Sequence, residues 1–225
     1  MNMQPFDIGE NQLEYQGSLV TPLFVLLSNR TKVVADLYNA LLGLHSGITS
    51  FSFTTGKTGA IAPTLDVDLN AFGTYHLASE EIQWRFPDAW TYEWRPTPLM
   101  RADAWLRSAV PNLTFENHVF TYEAHGSLLN GDARGFLLGL GGPVIEGLGV
   151  DDGTGLIFHF RYPSHGWYVH LLVDHSHVQA GGLFIQMVTT IEGGAIGYDQ
   201  TVSRMRDLFC GALGRLGLEI VTGVG

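Results

Sequence analysis

The clearest alternation of apolar and polar positions lies between Gly155 and Asp174. Leu156–Tyr162 and Trp167–Asp174 both read as strands, and Pro163-Ser164-His165-Gly166 between them reads as a turn. Either way of counting the loop pairs Tyr162 with Trp167, Phe160 with Val169 and His159 with His170. Side chains alternate across a strand, so one face carries Leu156, Phe158, Phe160, Trp167, Val169, Leu171 and Val173. That face is wholly apolar and the pattern predicts its burial. Phe160→Ala is then expected to cost about 3–5 kcal/mol. The opposite face sets Ile157 against Leu172, His159 against His170 and Arg161 against Tyr168.

Elsewhere the patterning predicts a strand over Leu19–Ser28, bent or at an edge because of Pro22. A helix over Thr31–Leu44 follows, with Val33 or Val34, Leu37, Leu41 and Leu44 on one stripe and Asn29 or Thr31 as its cap. Strands are expected at Ile48–Thr54, Leu65–Leu69, Thr74–Leu77 and Glu81–Phe86. Thr97-Pro98 then opens a helix that buries Leu99, Ala102, Leu106 and Val110 and ends at Pro111. The second half begins with a strand at Phe115–Ala124 and a short helix from Asp132 to about Leu140. After the hairpin comes a strand at Gly182–Ile191. A last helix, from Asp199 or Thr201 to Leu216, carries Val202, Met205, Phe209, Ala212, Leu213 and Leu216 on one stripe and stops at Gly217.

Each half thus reads strand, helix, several strands, helix. The expected fold is α+β: a largely antiparallel sheet, as one sheet or two related half-sheets, with helices packed on one face. The chain is read as one domain over 1–225, with halves at 17–111 and 112–217 as the alternative division. The glycine-rich stretch Gly139–Thr154 reads as a loop, not regular helix.

Composition narrows the partners. Hydrophobic residues make up 45% of the chain and charged residues 15%, a globular balance. The formal net charge is −10 with no Lys/Arg cluster, which disfavours nucleic acid and anionic membrane surfaces. No apolar run reaches spanning length and Met1–Asp7 lacks the character of a signal peptide, so the expected setting is the cytoplasm. The lone Cys210 excludes an internal disulfide, and its neighbours suggest a partly buried hydrophobe.

Phosphate-loop, dinucleotide and nucleophile signatures all fail. Gly56-Lys57-Thr58 has Phe51 where a glycine is required, position 144 is Val in the glycine-rich stretch, and Ser164 lies in a hairpin turn. Histidines carry the chemistry that remains, since His159, His165, His170, His175 and His177 fall within one short stretch. Cross-strand neighbours stand about 4.5–5.5 Å apart at Cβ, so His159 and His170 could ligate one ion or share a proton. No third ligand is named by the sequence, and no cofactor is implied. The candidate ligand-binding set is His159, Arg161, Tyr168 and His170. Trp84, Trp90, Tyr92 and Trp94 form a second feature, read as core or as a contact surface between copies.

Three readings follow. The leading one is a non-catalytic binding module for a small, partly apolar ligand or for another copy of the chain. The second is an enzyme using His159 and His170 as metal ligands or as an acid–base pair, and the third is an oligomeric scaffold.

Overall fold

The computed structural model describes residues 3–42, 50–54, 64–141, 155–162 and 165–221, with backbone alone over 50–54. The fold is α+β. In chain order it runs β1 (Gln4–Leu19), α1 (Phe24–Ser28), α2 (Arg30–Leu41), β2 (Ser50–Thr54), β3 (Thr64–Asp68), β4 (Thr74–Leu77) and β5 (Glu81–Pro87). Next come α3 (Thr97–Ala109), β6 (Phe115–Leu128), α4 (Ala133–Gly141), β7 (Leu156–Tyr162), β8 (Trp167–His175) and β9 (Leu183–Glu192). The last helix, α5 (Tyr198–Leu216), leads into β10 (Leu218–Val221).

The strands hydrogen-bond in the order β2-β3-β4-β5-β1-β6-β9-β8-β7, and β10 adds to β1 in parallel. Each long opening strand lies beside the last strand of its own meander, β1 beside β5 and β6 beside β9. Two compact units share the long strands. One comprises Met1–Gln12, Thr121–Thr189 and Ser203–Gly225; the other comprises Leu13–Phe120 and Thr190–Val202.

In the second unit the strands alternate cleanly. Leu65, Val67, Tyr75, Leu77, Ile82, Trp84 and Phe86 are buried on one face. The other face carries polar pairs: Arg85 Nη2 donates to Glu14 (3.3 Å), Gln16 donates to Glu81 (2.8 Å), and His76 lies 2.6 Å from Asp66. Helix α2 is capped by Asn29, whose side chain accepts from the Lys32 amide. α3 buries Leu99, Ala102 and Leu106 as its spacing predicts, and Trp105 besides, with Pro98 in its first turn; Val110, expected on the same stripe, lies past the helix end at Ala109 and is only half-buried.

Two expectations need correction. The strand placed at Leu19–Ser28 is the end of β1 followed by a turn and the short α1. β1 itself escapes a hydrophobicity reading because its buried alternate positions are Asn11, Leu13, Tyr15, Gly17 and Leu19, two of them not apolar. Gly17 is required there, since a Cβ would collide with the Tyr15 hydroxyl and the Phe115 ring. Cys210 is exposed on α5, not partly buried. β10 was also unforeseen; at four residues it is too short to show a pattern of its own. The Gly56-Lys57-Thr58 segment and most of Gly139–Thr154 lie outside the described residues, though Gly139–Gly141 belong to α4.

Candidate functional site

The hairpin register is the one the alternation predicts, from Leu156 opposite Val173 to Tyr162 opposite Trp167, with His159 opposite His170. Its apolar face is not closed, however. On β8, Trp167, Val169, Leu171 and Val173 are buried, but on β7 Leu156 and Phe158 are only half-buried and Phe160 is 38% exposed. The expected burial of the β7 side chains is therefore corrected. The cause lies in where the helix sits. Phe209 of α5 packs edge-on against Tyr122 of β6, ring centroids 4.7 Å apart. In the strand order β6 stands three places in from β7, which is the terminal strand. The helix covers the inner strands and leaves the outer one open.

What remains between them is a cleft of about 570 Å³. Met205, Phe209 and Leu213 anchor α5 in the core. The neighbouring helical stripe, Arg204, Asp207, Leu208, Gly211, Ala212 and Arg215, forms one wall of the cleft. The facing wall is Phe158, Phe160, Trp167, Val169 and Leu171 of the hairpin with Met187 of β9, and Tyr162, His165 and Leu216 complete the lining. Phe158 and Phe160 lie side by side, nearly parallel at 11°. Glycine inside a helix is disfavoured by about 1 kcal/mol relative to alanine. At Gly211 a Cβ would meet nothing within 4 Å, so the absent side chain leaves the cleft wall low.

The sequence-predicted set sits on the opposite face of the hairpin. The His159 and His170 rings meet edge to face at 4.5 Å, and the Arg161 guanidinium lies 4.9 Å over the Tyr168 ring. None of the four lines the cleft. Among the described residues no group of three or more His, Cys, Asp and Glu side chains is placed to hold a metal ion. The histidine pair thus offers two donors without a third. Of the aromatic set, Trp84 and Trp94 are fully buried in the core, which leaves Tyr92 and half-buried Trp90 as the members that reach the surface.

A second constellation went unread in the sequence. Within the unit of Leu13–Phe120 and Thr190–Val202, Tyr15 Oη lies 2.9 Å from His118 Nδ1 and 3.1 Å from Tyr198 Oη. The Tyr198 hydroxyl donates to Asp103 (3.1 Å), and Arg107 Nε donates to the other oxygen of that carboxylate (2.7 Å). His118 Nε2 lies 3.0 Å from the Gly194 carbonyl, which can only accept, so Nε2 carries a hydrogen. Burial holds the His118 imidazole below its usual pKa, against the pull of that carbonyl and Asp103, and it raises both tyrosines well above theirs.

A proton count follows. Gly194–His118, His118–Tyr15, Tyr15–Tyr198 and Tyr198–Asp103 are four contacts. Neutral His118 and the two tyrosines bring one hydrogen each, so a proton on His118 or Asp103 would supply the fourth. The only signal in the sequence was a histidine on the buried face of β6, in line with Phe120, Tyr122 and Ala124.

No family model matches the chain, and no curated protein matches it in sequence. Among the described residues no helix is long and apolar enough to cross a membrane.

Proposed function

We propose that the protein is a binding module for a small, partly apolar ligand held in the cleft between α5 and the β7–β8 hairpin. The observation that carries this reading is the uncovered aromatic wall, Phe158 and Phe160, facing a helix stripe that leaves about 570 Å³ unfilled. Ligand pockets run to about 300–1,000 Å³ with mostly apolar linings. Exposed apolar patches rimmed by polar groups mark interaction sites more often than chance.

A neutral apolar dye, N-phenyl-1-naphthylamine, tests it. Saturable one-to-one binding with blue-shifted emission is expected in the parent and strong loss of it in Gly211→Trp, whose indole would occupy the cleft. The Gly211→Trp variant should keep its melting temperature, because a Cβ at this position meets no neighbour. Equal dye binding in parent and variant would remove the cleft from consideration.

A further inference from the structure

We infer that the ligand is an anionic amphiphile, a single apolar chain or ring system ending in a carboxylate, whose charged end is held by Arg215. This rests on the cleft reading above and adds the charge of the occupant. The apolar part has its surface in Phe158, Phe160, Trp167 and Leu171. The charge argument comes from the rim. The chain has 12 Lys+Arg against 22 Asp+Glu, yet among the described residues the cleft lining carries Arg204 and Arg215 against Asp207. Two of the chain's 12 Lys+Arg thus stand at the cleft, where they oppose the general repulsion of anions by the acidic surface.

The two arginines are not equivalent. Arg204 is three residues from Asp207 on the same helix stripe, so the carboxylate shares its field. Arg215 is eight residues beyond Asp207, about 12 Å along the helix axis, and among the described residues no other carboxylate lines the cleft. Among the described residues Arg215 makes no ion pair or hydrogen bond. A cation in the last turn also complements the helix dipole. That role would not require it to line the cleft beside Leu216, as it does. Guanidinium presents a planar fork suited to two carboxylate oxygens, and a bound carboxylate would give Arg215 a partner that it lacks among the described residues.

The test is displacement of the naphthylamine dye from the full chain by decanoate, by decanol and by decyltrimethylammonium. Decanoate should displace at a concentration at least about fivefold lower than decanol, the scale of a partly exposed charge-assisted contact. Decyltrimethylammonium should be weakest. In Arg215→Gln the advantage of decanoate should vanish while decanol displaces as before, and Arg204→Gln should keep most of it. Equal displacement by decanoate and decanol in the parent, or an undiminished preference in Arg215→Gln, would overturn the anionic assignment while leaving the cleft reading intact. Absence of dye binding would overturn both. Dye binding that falls as protein concentration rises would mean a second copy fills the cleft, and this too would overturn the inference.

Discussion

Strand β8 buries Val169, Leu171 and Val173, whereas its partner β7 leaves Leu156, Phe158 and Phe160 partly open on the same face. The two strands carry the same alternation and pair residue for residue. They differ in what lies above them: α5 anchors inward, near β6, and stops short of the edge. An apolar stripe therefore reports that a face needs an apolar environment, not which element supplies it. The histidines teach the matching lesson for polar groups. His118 is fully buried and tied to Tyr15 and the Gly194 carbonyl, whereas His159 and His170 touch each other on an exposed face.

The comparison can be broken outright by removing the cover. Ending the chain before Thr201 deletes most of α5 and should abolish the cooperative melt, because Met205, Phe209 and Leu213 are fully buried. Native-like circular dichroism with a sharp transition would show that the inner strands need no helix.

A finer contrast sets Leu171→Ala against Phe160→Ala. The first should cost about 2–5 kcal/mol in denaturant unfolding, as a buried leucine leaves a cavity. The second should cost about 1 kcal/mol or less, since over a third of Phe160 already faces solvent; it should weaken dye binding instead. Equal losses would mean that β7 is as well covered as β8.

Acid then separates the histidines. Burial lowers the folded-state pKa of His118, so below the unfolded value of about 6.5 the unfolded chain binds the extra proton more readily. The stabilisation is present above that value and is lost as pH falls through it. Melting temperature should decline from pH 7.5 to 5.5, and His118→Gln should flatten the slope. A parent protein more stable at pH 5.5 would show that completing the four-contact network outweighs burial.

The smallest effects belong to the exposed pair. His159→Ala and His170→Ala should each change stability by no more than about 0.5 kcal/mol and leave dye affinity unaltered. A loss of dye binding in either would return the site to the polar face.

Local pattern carried much of the architecture. The hairpin register, α3 with its Leu99–Ala102–Leu106 stripe and α5 with Met205–Phe209–Leu213 all follow from spacing within one element. β1 did not, because Asn11 and Gly17 occupy its buried face. The cleft did not either: Phe160 reads as core until one knows that α5 turns its Leu208–Gly211–Ala212 side toward the hairpin and its anchors elsewhere. The tyrosine–histidine network joins positions 15, 103, 118 and 198, and no periodicity within a single strand or helix relates residues that far apart.

The Gly17 notch and the hydroxyl packed into it have a spectroscopic consequence. Tyr15 and Tyr198 hold their hydroxyl hydrogens at heavy-atom separations of 2.9–3.1 Å in a region shut to solvent. Exchange of those hydrogens with bulk water requires local opening, so their lifetimes are set by the stability of this segment. They should stand as separate lines in the proton spectrum, outside the amide envelope, where ordinary tyrosine hydroxyls are averaged away. Each line would then read the state of one buried contact directly, without a mutation or a probe.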